Sequence, residues 1–400
     1  MYNNLLKTYS ICLNKHILSN EVQEFITNYS KDIIKLAFTG SPFNEVSTQE
    51  LIQQIESRRK TEKKLPTWYN TPNIFFPPKL NLEQTSSEIT AKHKTSIVQG
   101  NSLADITGGF GVDSFFFSEI FKDIHHFEHN NSISNIAKHN FKVFNKDNIT
   151  CFTGDALQQL TTSYYDVIYA DPSRRHNSKG KVFFLKDCEP NIPDNLELLF
   201  THCKNLLVKT SPMLDITVGL KELKCVSEIH IVAVNNEVKE VLWLLDKSVN
   251  VEPKVKTINF LKDKKEVFSF DLNTPNSPSY ALPLTYLYVP NAAIMKSGGF
   301  DILSEIFQID KLHRHSHLYT SYKLKDFPGR RFKINQVIPY HKKEIKDYLK
   351  NKKANIATRN FPENVAFLNK KWKIKDGGTD YLFFTTLENE NKVILDCTKV

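Results

Sequence analysis

The sequence predicts an α/β fold: a doubly wound parallel sheet, preceded by a helical region and followed by small α+β domains. Three observations carry this reading. From about residue 102, short apolar runs alternate with amphipathic stretches, as βα units require. Three of the chain's 13 glycines, Gly108, Gly109 and Gly111, fall within four positions of LADITGGFG (Leu103–Gly111), between a strand and a helix. Three acids, Asp105, Glu128 and Asp155, close successive strand candidates, and in a doubly wound sheet such ends line one ligand crevice.

The elements follow in order. Residues 1 to about 60 carry apolar positions at helical spacing (Phe25, Ile33, Leu36, Leu51, Ile55). Residues 61–80, rich in proline and aromatics, read as ordered but irregular, and Leu82–Ile97 as one further helix. Strands are expected at Leu103–Ile106, His125–Glu128, Ile149–Thr153, Asp166–Ala170, Asn205–Lys209 and Glu228–Val234. Helices are expected at Val112–Ile120, Ser132–Phe144, Asp194–Lys204 and Glu237–Leu245. Val255–Leu261 and Glu266–Phe270, separated by KDKK, suit a hairpin, and prolines 275, 278, 283 and 290 mark a linker. Beyond it, strands at Phe332–Ile338 and Asn355–Arg359, helices at Lys342–Leu349 and Asn364–Lys371, and a hairpin of Tyr381–Thr386 with Val393–Asp396 make a smaller domain. The expected division is 1–95 for the helical region, 96–271 for the sheet, and small domains from 272 onward.

Composition narrows the function classes. The chain has 400 residues, 40% of them hydrophobic, enough for two or three cored domains. No apolar run reaches the ~18 residues of a membrane span, and the N-terminus lacks signal-peptide features. Six scattered cysteines without a CxxC pair read as reduced thiols in a cytoplasmic protein without structural zinc. Net charge is +9, and Lys323–Lys375 holds 16 Lys/Arg against 4 Asp/Glu, or +12, leaving 9 − 12 = −3 elsewhere. Such a segment is either a solvated face or a contact surface for nucleic-acid phosphates. Interleaved Tyr340, Tyr348, Phe361 and Trp372 suit RNA as stacking surfaces, or form core. His313, His315 and His317 alternate, so a strand there would align three imidazoles, as a metal site or as a surface facing nucleic acid.

The glycine turn admits a ligand where a Cβ would collide, and the helix after it presents unpaired N–H groups. Glu128 is placed to accept both hydroxyls of a ribose, and Asp155, followed by Ala156, to accept from an adenine amine. Together they describe an adenosine-bearing ligand. The dinucleotide fingerprint requires Gly-x-Gly-x-x-Gly, but Ser114 takes the third place, and Asp105 repels pyrophosphate while suiting a cation. S-adenosylmethionine therefore fits better than NAD. Its expected contacts are Asp105, Thr107, Gly108, Gly109, Gly111, Glu128, Asp155 and Ala156.

The fourth strand ends YADPSRR, which resembles the [DNS]-P-P-[YFW] motif of amino-directed class I methyltransferases. The resemblance implies that Asp171 and the Pro172 carbonyl accept hydrogen bonds from a target amine and orient it for in-line displacement. Ser173 replaces the second proline, and Arg174 stands where an aromatic ring would stack. Arg174 and Arg175 then either hold the target, by stacking or by phosphate contact, or pair structurally. After the fifth strand, Lys209 and Ser211 of KTSPMLDI face the same crevice as substrate contacts, unless Lys209 merely caps the strand.

Taken with SRRKTEKKLPTWY, LNLEQTSSEITAKHK, NNEVKEVLWLL and ANIATRNFP…KIKDGGTDYLFFT, these motifs resemble one family over residues 57–386: bacterial class I methyltransferases with a C-terminal THUMP-like domain. The resemblance implies a Rossmann-like methyltransferase sheet, a ferredoxin-like insert at about 272–322, and a basic THUMP-like domain at 323–400. It also implies S-adenosylmethionine use, with Gln84 and Ser87 of LEQTSSE in a segment laid over the cofactor. The expected activity is methylation of a base nitrogen of tRNA or rRNA, with no membrane or metal partner. The alternatives are a protein or small-molecule substrate, or a non-catalytic RNA-binding protein on the same fold.

Overall fold

Five parallel strands organise the first part of a computed structural model, which describes residues 13–160, 163–174, 184–249, 251–349 and 352–400. They are β1 (Ser102–Asp105), β2 (Asp123–Glu128), β3 (Ile149–Thr153), β4 (Tyr165–Ala170) and β5 (Cys203–Thr210), ordered β3-β2-β1-β4-β5. All four pairings are parallel. The order reverses between β1 and β4, so the ends of these two strands frame the ligand crevice of a doubly wound sheet. The α/β class expected from the alternation is what the chain adopts.

The chain divides into two compact units, 1–227 with 242–250, and 228–241 with 251–400. In the first, helices α1 (Asn20–Asn28), α2 (Ile33–Thr39), α3 (Thr48–Lys64) and α4 (Pro66–Asn70) precede the sheet. Ser47 and Glu50 form a reciprocal capping box that starts α3. Leu51, Ile55 and Trp68 pack with Phe110, Phe115, Phe116, Ile136 and Phe141 into one core. Trp68 lies 4.8 Å from Phe115 and 5.0 Å from Phe144, centroid to centroid, in edge-on contacts. This anchors the aromatic segment that the sequence left irregular. The expected helix over Leu82–Ile97 is instead two, α5 (Lys79–Gln84) and α6 (Glu88–Thr95), because Ser87 caps a fresh start by accepting from Thr90 N. Helices α7 (Val112–Phe117), α8 (Asn131–Val143), α9 (Ala156–Gln159) and α10 (Ile192–His202) follow within the sheet region, and a further helix spans Ile216–Glu222.

The helix expected at Glu237–Leu245 is a strand. β6 (Val226–Val234) and β7 (Glu237–Asp246) form a hairpin across Asn235 and Asn236, which have φ of 52° and 64°. Two successive left-handed residues make a two-residue turn matched to strand twist, and asparagine tolerates that conformation. Trp243 of β7 donates from Nε1 to Thr210 Oγ1 (2.9 Å) within the first unit.

In the second unit β8 (Lys254–Phe260) pairs parallel with β6 and antiparallel with β9 (Lys265–Asp271), the hairpin read from KDKK. A second sheet has seven strands: β10 (Tyr286–Pro290), β11 (Asp310–Lys311), β12 (Tyr319–Ser321), β13 (Gly329–Pro339), β14 (Asn355–Arg359), β15 (Asp380–Thr386) and β16 (Lys392–Lys399). Their order is β11-β12-β10-β13-β16-β15-β14. Helices α11 (Lys342–Leu349) and α12 (Val365–Trp372) cover one face through Ile345, Leu349 and Leu368. Tyr340, Phe361 and Trp372 pack on that side, with Tyr340 and Phe361 edge-on at 4.9 Å. These aromatics therefore serve the helix-side core.

The histidine tract is not a strand. His313 to Ser316 form a turn between β11 and β12, with Ser316 N donating to His313 O (3.2 Å). His313 is buried and its Nδ1 accepts from His315 N (3.0 Å), while the His317 ring stacks on Phe300 at 3.7 Å. Burial lowers the His317 pKa to about 4. The His313 and His315 rings lie 5.5 Å apart, centroid to centroid, whereas the His317 ring belongs to the Phe300 contact. No helix among the described residues is long and apolar enough to cross a membrane.

Candidate active site

The site is built on the turn after β1. Asp105, the last residue of β1, is 1% exposed. Its Oδ1 accepts from Thr107 N (3.1 Å) and its Oδ2 from Ser114 Oγ (2.6 Å). Ser114 Oγ in turn lies 2.9 Å from His126 Nδ1 on β2. Burial raises the Asp105 pKa to about 7 against the Ser114 hydrogen bond, with nearby Asp113 and Asp171 adding repulsion. Burial also lowers that of His126, to about 4.

The three glycines answer two different needs. A Cβ on Gly108 would lie 2.2 Å from His126 Cε1, and one on Gly111 2.4 Å from Phe141 Cζ. Both therefore make room for the protein's own rings. Gly109, at φ +55°, has nothing nearer than Thr107 O at 3.8 Å, so it alone leaves open space beside the turn. Its N–H donates to Glu128 Oε2 (2.8 Å), and Glu128 Oε1 accepts from Asn130 N (2.6 Å). Glu128 is thereby fixed against the turn, each oxygen keeping a further lone pair. Gly154 N donates to Glu128 O (3.0 Å), which brings the end of β3 alongside. Asp155 is exposed and caps α9 by accepting from Leu157 N (3.0 Å); Ala156 is buried behind it.

The DPSRR stretch meets this turn directly. Asp171 N donates to Thr107 Oγ1 (2.7 Å), linking the end of β4 to the glycine turn. The Asp171 carboxylate pairs with Lys209 Nζ from β5, so Lys209 neither stands alone as a phosphate contact nor merely caps its strand. Pro172 is buried, and Arg174 is exposed on a two-residue ladder with Cys188–Glu189. Arg175 lies outside the described residues. Ser211, two residues past Lys209, accepts from Met213 N (3.2 Å).

A second buried cluster escapes a sequence reading. Lys94 of α6, fully buried, bonds Ser86 Oγ (2.9 Å) and pairs with Asp113 Oδ1 (3.1 Å). Asp113 Oδ2 accepts from Ser86 Oγ and from Tyr169 OH, both at 2.8 Å. Burial pushes the Asp113 carboxyl up, but Lys94, Lys209 and these hydroxyls bring it below its usual range. This cluster ties the LEQTSSE segment to the turn. The residue that reaches the turn is Ser86; Ser87 caps α6 and Gln84 is exposed at the end of α5. The pattern that could have revealed it is Asp113 two residues after Gly111, an acid on the first helical turn facing a cationic segment.

The comparisons agree with this frame. A ferredoxin-like domain model matches residues 286–328 and a THUMP domain-like model residues 329–399. A solved structure of a candidate methyltransferase from Porphyromonas gingivalis W83 is 30% identical, with a TM-score of 0.86, covering 96% of this chain and 98% of that one. Two others align only in part. A candidate methyltransferase from Streptococcus mutans, crystallised with SAH, is 13% identical at TM-score 0.29, covering 40% and 99% of the two chains. An rRNA methylase from Streptococcus thermophilus is 11% identical at 0.30, covering 40% and 98%. No curated protein matches the chain. Matched along nearly its whole length by the Porphyromonas protein, and at its C-terminus by both domain models, the chain belongs to the bacterial class I methyltransferases with a C-terminal THUMP-like domain.

Proposed function

We propose that this protein is an S-adenosylmethionine-dependent methyltransferase that methylates a base nitrogen of tRNA or rRNA. The observation that carries the reading is the hydrogen bond from Asp171 N to Thr107 Oγ1, which holds the backbone of the DPSRR stretch against the glycine turn. The residues present fit the cofactor. Gly109 leaves open space, Glu128 faces it with spare acceptor capacity, and a buried acid lies beneath it. When bound there, S-adenosylmethionine supplies an electrophilic methyl group.

The protein's own contribution is placement. Asp171, with the Pro172 carbonyl, accepts N–H bonds from the target amine and aims its lone pair at the methyl carbon. Lys209 holds Asp171 in position through their ion pair. Asp105 and Glu128 fix the turn from below and from the side. Support for an RNA target comes from the +12 segment and the THUMP-like match that overlaps it. The test is transfer of radiolabelled methyl from S-adenosylmethionine to total RNA of a strain lacking the gene, with nucleosides mapped afterwards. Label in one N-methylated nucleoside is expected. Label only in protein or small molecules refutes the RNA assignment, and no label in any fraction refutes the activity.

A further inference from the structure

We propose that Asp105, Ser114 and His126 form one buried proton-carrying chain beneath the glycine turn, and that this chain gives up a proton when a cation occupies the turn. The inference rests on the S-adenosylmethionine reading above and adds how the site selects a positively charged ligand.

Register brings the three groups together. Asp105 ends β1, and its partners are His126 on β2 and Tyr169 on β4, so these side chains share one face of the sheet. From α7, Ser114 reaches both: its Oγ lies 2.6 Å from Asp105 Oδ2 and 2.9 Å from His126 Nδ1. All three side chains are buried. His126 Nε2 is buried without a hydrogen-bond partner. The bond to Ser114 therefore decides which ring nitrogen carries the proton.

A hydroxyl has one proton to donate, so the chain has two complementary arrangements. With Asp105 ionised, Ser114 donates to its Oδ2, His126 donates from Nδ1 to Ser114 Oγ, and Nε2 is bare. With Asp105 protonated, Asp105 donates to Ser114 Oγ, Ser114 donates to Nδ1, and Nε2 holds the ring proton. The first arrangement holds two protons and the second three. Passing from the second to the first releases one proton to solvent.

The charge around Asp105 decides between them. Thr107 N and Ser114 Oγ are neutral donors, and no lysine or arginine among the described residues pairs with it. The acids that face it do have cations. Asp113, beside Ser114 on α7, pairs with Lys94, and Asp171, two residues past Tyr169, pairs with Lys209. Glu128, at the end of β2, is engaged by the N–H groups of Gly109 and Asn130. Burial keeps His126 neutral. A buried carboxylate left without a cation takes up a proton instead, in keeping with its pKa of about 7. A cation at the turn reverses that balance, whereas a neutral or anionic occupant gains nothing from the acid. S-adenosylmethionine offers two such groups, an ammonium and a sulfonium; S-adenosylhomocysteine keeps only the ammonium.

The test uses the full chain at about pH 6, one unit below the Asp105 pKa. Titration calorimetry with each of the two ligands, in buffers of differing ionisation enthalpy, counts the protons released. The wild type should release most of one proton on binding S-adenosylmethionine, and Asp105→Asn none. Release with both ligands identifies the ammonium as the cation, and release with S-adenosylmethionine alone the sulfonium. Equal release by the wild type and Asp105→Asn overturns the inference and leaves the cofactor reading intact. If the wild type binds neither ligand, the cofactor reading itself fails. Nitrogen-15 NMR of the ligand-free wild type, with the signal assigned through His126→Gln, tests the chain independently of binding and of how Asp105→Asn folds. The His126 ring proton should move from Nε2 at about pH 6 to Nδ1 at about pH 8, as Asp105 ionises. A tautomer unchanged across that range overturns the chain.

Discussion

Gly108→Ala should destabilise the first unit although Gly108 lies outside the left-handed region. The added methyl would sit 2.2 Å from His126 Cε1 and 2.5 Å from both ring nitrogens. An ordinary contact is well over 3 Å, so the ring must retreat by more than an ångström. It cannot do so easily: it is 0% exposed, held at Nδ1 by Ser114, and edge-on to Phe141 at 5.3 Å. Overpacking of this kind costs about 2–3 kcal/mol, roughly 4–12 °C in Tm for a unit of this size. Gly109→Ala meets no atom nearer than 3.8 Å and pays only for φ +55°, about 1–2 kcal/mol. Its methyl projects into the open space, so it should lose S-adenosylmethionine affinity out of proportion to its stability. Urea denaturation followed by tryptophan fluorescence measures the two stabilities, and calorimetry the affinity. Pairing Gly108→Ala with His126→Ala should recover more than 1 kcal/mol relative to additivity. A Gly108→Ala protein within 0.5 kcal/mol of wild type, or an additive double variant, would refute the argument.

Two buried groups should leave opposed marks on stability against pH. The Asp105 pKa is raised to about 7 in the fold, so between about pH 4 and 7 the native state holds a proton the unfolded chain has lost, and stability falls as pH rises. The His126 pKa is lowered to about 4, so between about pH 4 and 6.5 the unfolded chain holds the extra proton, and stability rises. Asp105→Asn should unmask the rise and His126→Gln the fall, in urea melts from pH 4.5 to 7.5; profiles parallel to wild type would count against both assignments. Lys94→Met strands the buried Asp113 carboxylate and should cost about 3–5 kcal/mol. Adding Asp113→Asn should restore much of that loss, and an additive outcome in the same melts would exclude the ion pair as its cause.

The strands of the first sheet were legible because their period and their terminal acids are local features. The β7 strand was not, since EVKEVLWLL reads equally as an amphipathic helix; the decisive signal was the Asn235–Asn236 turn before it. The glycine turn was legible as a site, but not the division of labour within it. His126 and Phe141, which claim Gly108 and Gly111, come 18 and 30 residues later, and only folding brings them under the turn. The Lys94–Asp113 pair escaped for the same reason, being an ion pair between helices separated by a strand. Asp155 shows the converse limit: position predicted an acceptor at a strand end, and its carboxylate is already engaged as a helix cap.

The central claim is that the turn after β1 and the DPSRR stretch after β4 are two walls of one methyl-transfer site. Calorimetric S-adenosylmethionine affinity, measured beside methyl transfer for Asp171→Ala, tests it most directly. Affinity within about threefold of wild type and turnover reduced at least a hundredfold are expected, since Asp171 orients the acceptor rather than the cofactor. Turnover retained in this variant would contradict it.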